Sequence, residues 1–520
     1  MSHPTCSRVE EGHRVALDNP QQTFEGRLID DRGPWVAHGS ADVEKAHASP
    51  PAALKGGDWD GPEDPENPLN WPRWQRICYI LPPALVCFAA TLASSIYTPA
   101  YPEVEERFGV SETLAILPLS LYVLALGFGP VIAAPLSETF GRRVVYLISP
   151  PLGALFSLGA GFAPSATGLV ILRFLAGLCF SPPLAIGAGT IADTNTASER
   201  AASTALFILS PFLGPSLGPV IGSFVAARKG WQWTQWTIIF FAIFSWLWVL
   251  PMHETYKPVI LRRRRAKLGL PDPPSPFASR GARWRFLLTV TLFRPVHMLC
   301  VEPIVGLLSV YIAFNFGVLF SFFAAFPYVF GSVYHFDSEQ SGLVFLAIGV
   351  GCVLAVPTAL LCDRFLYQKH VRLSHANGKE GLVAPEHRLY LAMLGSFGLP
   401  IGLFWFAWTA RSDISWASPV VAAIPFAWGN LSIFISASMY LVDTYQALNG
   451  ASAVAANGLL RYILGAAFPL FTLQMYRRLT IPWATSLLGF VTVALMPIPW
   501  VLFRFGHRIR LKSHYDTIKA

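Results

Sequence analysis

Residues 77–97 read Ile-Cys-Tyr-Ile-Leu-Pro-Pro-Ala-Leu-Val-Cys-Phe-Ala-Ala-Thr-Leu-Ala-Ser-Ser-Ile-Tyr, with no Asp, Glu, Lys or Arg among them. Coiled as a helix, such a stretch spans ~30 Å, the depth of a bilayer's hydrocarbon core. In lipid a single chain segment can satisfy its own backbone only as a helix. Similar stretches recur near 113–134, 144–163, 168–192, 202–226 and 234–252, then near 296–326, 341–362, 388–409, 417–441, 453–473 and 483–504. The expected fold is therefore all-α integral membrane, with twelve transmembrane helices in two pseudo-symmetric six-helix bundles.

Composition agrees. Of 520 residues, 53% are hydrophobic and 13% charged, against about 25% charged in soluble domains. Too little polar material exists to cover a water-facing sphere of 57.1 kDa. That excludes a soluble enzyme; the apolar content excludes a disordered chain, and seven Cys exclude a disulfide-built scaffold.

Residues 1–70 hold thirteen acids and six Lys/Arg and no long apolar run, which reads as a disordered cytoplasmic tail. No basic-then-apolar leader opens the chain. The expected bundles are 71–253 and 295–505, with a cytoplasmic linker at 254–294 and a cytoplasmic tail at 506–520. The linker carries Arg262 to Arg265 and Lys267. Alternate loops carry Arg142 and Arg143, Arg200, that run, Arg364 with Lys369 and Arg372, and Arg504 to Lys512. By the positive-inside rule these face the cytoplasm, with both termini. The net charge of +8 thus reads as topology and anionic-lipid contact, not nucleic-acid binding. Arg477 and Arg478, on the opposite side, break the pattern.

The halves echo each other. Span four ends Ile191-Ala192-Asp193-Thr194 and span ten ends Leu441-Val442-Asp443-Thr444; small-residue runs follow at Ala201 and Ala451. Duplicated six-helix halves are what alternating-access transporters are built from.

Enzyme hardware is missing: no phosphate-binding loop, no HExxH and no His cluster, so no metal or cofactor is expected. Three stretches stand out instead. In Pro135-Leu136-Ser137-Glu138-Thr139-Phe140-Gly141-Arg142-Arg143, a carboxylate, a turn glycine and two arginines join two helices, which suits a latch as well as ordinary loop charge. Arg173 lies within span four, where a charge usually faces the bundle interior. In span five, Gly214-Pro215-Ser216-Leu217-Gly218-Pro219 and Gly222 make a bent, closely packed helix.

Glu138-x-x-Gly141-Arg142-Arg143, Arg173-x-x-x-Gly177 and Gly214-Pro215-x-x-Gly218-Pro219 resemble three signatures of the major facilitator superfamily. The last is similar to the antiporter motif of its twelve-span drug:proton antiporter branch. Asn67-Pro68-Leu69-Asn70-Trp71-Pro72, Arg294-Pro295…Glu302-Pro303, Phe326-Pro327-x-Val329-Phe330 and Trp483-Ala484-Thr485-Ser486-Leu487-Leu488-Gly489-Phe490 look like fungal multidrug, polyamine and secondary-metabolite exporters. Ala134, Glu138 and Ala176 depart from the family's preferred Gly, Asp and Gln.

The resemblance implies a monomeric, proton-coupled exporter in the cell membrane or the vacuolar membrane. Its partners are protons, lipid and a small molecule such as a secondary metabolite, toxin or antifungal drug. Polyamine export is the first alternative, and nutrient symport or uniport the next. Glu302, flanked by Cys300, Val301, Pro303 and Ile304, is the expected proton carrier, with Arg173 tuning it. Glu138, Gly141, Arg142, Arg143, Asp193 and Asp443 form the expected inner gate. Tyr311, Asn315, Phe316, Phe323 and Phe326 offer an aromatic face with one amide for an apolar solute.

Overall fold

A computed structural model describes residues 59–61, 63–271, 279, 281, 285–286, 289–376 and 383–517. Residues 1–58 of the expected tail lie outside these. The first half is built from α1 (Leu81–Ser95), α2 (Glu112–Phe140), α3 (Arg142–Gly161), α4 (Ala166–Phe180), α5 (Pro182–Thr194), α6 (Ala197–Lys229) and α7 (Trp231–Val249). A basic helix, α8 (Lys257–Lys267), follows. The second half holds α9 (Arg294–Val301), α10 (Pro303–Tyr334), α11 (Leu346–Cys362), α12 (Gly398–Thr409), α13 (Ala417–Leu495) and α14 (Pro497–Arg510). No strand occurs among the described residues.

Among the described residues, ten segments are long and apolar enough to cross a membrane. One of them, Asn449–Arg510, is 62 residues long and contains Thr480 at φ 65. Gln446, at φ 55, breaks α13 a second time. The 19-residue α7 falls outside the ten. Large side chains such as Ile132, Ile148, Leu155, Phe240, Phe244, Trp483 and Phe490 point outward, while one contiguous core from Ile80 to Leu502 fills the interior. A lipid-facing surface has this inside-out look because apolar side chains lose nothing against hydrocarbon tails.

Two expectations need correction. Span seven is not continuous: α9 ends at Val301, and Glu302 is extended (φ −93, ψ 109) before α10 restarts at Pro303. The cause is local, since a proline ring pushes the preceding residue out of the helical region. Nor is the end of the supposed tail loose. Asp64 takes both terminal nitrogens of Arg264 on α8 at 2.8 and 2.9 Å, and Asp60 and Glu66 add contacts at 3.3 and 2.8 Å. These bonds hold the Asp64 carboxyl well below the usual carboxylate range and raise the Arg264 guanidinium.

Candidate functional site

At the basic end of the first half, Gly141 separates α2 from α3 with φ 102, a conformation glycine takes readily. A Cβ there would also overlap the Glu254 carboxylate. Glu254 comes from beyond α7 and is buried; it accepts from the backbone N–H of Arg142 at 2.8 Å and Arg143 at 3.3 Å. A carboxylate on the exposed amides of a helix start is favourable both as hydrogen-bond acceptor and against the helix dipole. The acid that seats α3 is thus Glu254, which the sequence reading passed over, while Glu138 points outward. Freed from the turn, the Arg142 side chain donates to Asp193 of α5 at 3.1 Å and lies 5.0 Å from the Tyr256 ring. Arg143 donates to the Leu250 carbonyl at 3.2 Å.

The second half repeats the arrangement with a different arginine. Arg388 donates to Asp443 at 2.7 Å and to Asp363 at 3.1 Å, and stacks 3.6 Å from the Tyr367 ring. Arg388 opens the ninth expected span as Arg142 opens the third, and that positional echo is the signal that could have found it. Nearby, Arg510 and Glu386 form a buried two-bond pair at 2.9 and 3.0 Å.

The Gly214–Pro219 stretch lies along α1. A Cβ at Gly214 would overlap Thr91 Oγ1 and come within 2.6 Å of the Leu92 nitrogen. One at Gly218 would overlap Ser95 Oγ, and one at Gly222 the Ile96 carbonyl. Pro215 and Pro219 lie inside α6 and cannot donate to the helix ladder. The result is a seam in which backbone meets backbone.

Arg173 is fully buried. It donates to the carbonyls of Ala93 at 2.8 Å and Ser94 at 3.3 Å, with the Tyr122 and Tyr97 rings 4.4 and 5.5 Å away. Among the described residues its neighbours are carbonyls and π faces, and the carboxylate expected beside it is not one of them. Glu302 is buried too, but the apolar shell expected around it is replaced by donors. Tyr445 Oη donates to it at 2.7 Å, Ser513 Oγ at 2.8 Å and the His514 amide at 2.8 Å. Glu302 therefore ties the helix break to the segment after α14.

All five expected substrate contacts are buried. Phe323 stacks on Phe345 and Phe326 on Phe406, both within the second half. Tyr311 and Asn315 lie one turn apart on α10, both fully buried. Phe316 reaches the other half, meeting Phe212 of α6 at 6.3 Å between ring centres. It also faces Arg461 of α13, a charge within an expected span that the sequence reading missed. A lone Arg in an apolar run is the same signal that singled out Arg173.

At the opposite end, Arg477 and Glu112 form a two-bond ion pair between the halves at 2.7 and 2.9 Å, and Arg228 meets Glu339 at 3.1 Å.

Two helix bundles enclosing buried charges, latched at one end within each half and at the other between halves, define a multi-pass membrane transporter and not an enzyme. The pattern of the Major Facilitator Superfamily matches residues 84–469, and the chain belongs to that superfamily. It is 40% identical over 484 residues to polyamine transporter 4 of Saccharomyces cerevisiae, covering 88% of this chain and 73% of that protein. It is 38% identical over 469 residues to efflux pump FUBT of Fusarium oxysporum, covering 88% and 77%. The proton:xylose symporter XylE shares the fold, with a TM-score of 0.60 and 15% identity over 84% of this chain and 96% of that one.

Proposed function

We propose that the chain is a proton-driven exporter that moves an apolar small molecule, such as a fungal secondary metabolite, toxin or antifungal drug, out of the cell by alternating access. The observation that carries the reading is the α1–α6 seam, where Gly214, Gly218 and Gly222 bring backbone against backbone. Such a seam seals the first half against leakage while the two halves move about each other. Likeness to an efflux pump over most of the chain supports the direction of transport.

In this reading twelve helices cross the membrane, counting α7 and both sides of the Thr480 break. The basic end faces the cytoplasm with both termini, in the cell membrane or the vacuolar membrane, and the protein acts as a monomer. Arg142–Asp193 and Arg388–Asp443 serve as the inner latches, and Glu112–Arg477 closes the outer end. Glu302 is an anchor here, and Arg173 is a fixed positive charge held on the carbonyls of Ala93 and Ser94.

A second reading, polyamine export, is favoured by the 40% identity to polyamine transporter 4. Flux in sealed vesicles under an imposed pH gradient tests both. Export of an aromatic solute that rises with an inward proton gradient and collapses with a protonophore supports the first. Gradient-driven export of spermine alone supports the second, and flux indifferent to the gradient removes the proton from both.

A further inference from the structure

Arg461 is a charge within an expected span, set among aromatic rings. Its guanidinium lies 4.5 Å from the Phe434 ring, 4.7 Å from Tyr462 and 5.0 Å from Phe316. Its Nε is shut off from solvent without a partner, and among the described residues Arg461 makes no hydrogen bond or ion pair. The residue as a whole is only partly covered, so the head group reaches open space.

That space lies between the halves. Phe212 of α6 packs on both Phe316 and Phe434, with ring centres 6.3 and 5.2 Å apart. A Cβ at Gly465 would touch Phe316 and Val123, and one at Gly127 would press on Tyr462. Gly127 and Val123 belong to α2, so Arg461 stands where α2, α6, α10 and α13 meet. Asn457, one turn before it, is buried with its amide nitrogen unpaired.

A guanidinium held at membrane depth without a counter-charge is costly. Aromatic faces offset part of that cost. They leave its five N–H donors unused, and the natural acceptor for that planar fork is a carboxylate. We propose that Arg461 binds the acid group of the transported molecule, and that the substrate is an aromatic or apolar monocarboxylate. The rings of Phe316, Phe434 and Tyr462 take its apolar body, and the guanidinium takes its charge. A polycation would meet an uncompensated positive charge here, so the same residue selects against polyamines. This inference rests on the export reading and adds the substrate class to it.

The test uses the full-length protein in sealed vesicles with three probes of one shape: 1-naphthoate, its methyl ester and 1-naphthylmethylamine. Wild-type protein should take the carboxylate in preference to the ester by about ten- to a hundredfold, as a charge-assisted hydrogen bond supplies, and the amine least. Arg461→Gln should erase that preference, so that acid and ester move at the same rate, and Arg461→Lys should restore part of it. Equal handling of acid and ester by the wild type overturns the proposal without any variant, as does an unchanged preference in Arg461→Gln. Ester export with no acid preference sinks only this inference; failure to move any of the three sinks the export reading as well.

Discussion

Arg477, near the Thr480 break in α13, grips Glu112, in the first turn of α2, through two hydrogen bonds of 2.7 and 2.9 Å. The pair joins the two halves at the end opposite the basic loops. It accounts for one of the two cations that violate the charge pattern of the loops: Arg477 is there for an acid on the other half. Nothing in the structure explains Arg478.

Because Arg477 is half exposed, at 53%, the pair contributes little to folding; exposed pairs are worth about 0–1 kcal/mol. Arg477→Ala is expected to leave the melting temperature within about 3 °C of wild type. The same variant should open the seam at that end. A cysteine placed at Val123, which faces Gly465 across the halves, should react several-fold faster with a membrane-impermeant thiol reagent than it does in the Arg477 background.

The α1–α6 seam makes a sharper stability prediction. Gly222→Ala puts a methyl group onto the Ile96 carbonyl, whereas a Cβ at Gly458 has nothing within 4 Å. Overpacking costs about 1–3 kcal/mol, while replacing an unconstrained helical glycine gains about 0.5–1 kcal/mol. Thermal unfolding in detergent should therefore fall for Gly222→Ala and hold or rise for Gly458→Ala. Equal shifts would show that α1 and α6 are not in backbone contact.

Glu302 gives the clearest split between two roles. As an anchor, it loses charge-assisted acceptance from Ser513, His514 and Tyr445 in Glu302→Gln, a loss of about 1–3 kcal/mol confined to the docked C-terminal segment. Limited proteolysis after α14 should accelerate, and the response of flux to a pH gradient should persist. Abolished coupling with an intact C-terminal segment would return the residue to the proton-carrier role that its sequence neighbours suggested.

Much of this arrangement was legible in the sequence, and the reasons differ by feature. Span positions follow from hydropathy, which lipid enforces residue by residue. The Arg142–Asp193 contact could be read from two half-motifs that end neighbouring helices. Glu254 and Arg477 could not, because neither sits in a repeated motif and each works through a partner more than a hundred positions away; Arg388 was legible only as the positional echo of Arg142. Glu302 was misplaced for a local reason: the apolar run around it looked continuous, while Pro303 had already fixed a break. Phe323 and Phe326 read as a binding face because α10 is aromatic all round, and only packing tells which ring meets the other half.

The clamp of Asp64 on Arg264 has a defined pH response. The folded carboxyl lies below its unfolded value, so the clamp's contribution is complete above the ordinary Asp pKa of about 3.9 and fades only as pH falls beneath it. Proteolysis around residues 60–66 should therefore be the same at pH 7 and pH 5. Arg264→Glu should expose this segment at both pH values. Release in the wild type between pH 7 and 5 would mean another group controls the docking.

Alternating access requires the end tied by Glu112 and Arg477 to part in every cycle. Glu112→Cys combined with Arg477→Cys, oxidised to a disulfide in sealed vesicles, tests this directly, with each single variant as control. The account expects flux to stop on oxidation of the double variant, to return on reduction, and to be insensitive in the singles. Full-rate transport by the cross-linked protein would contradict it.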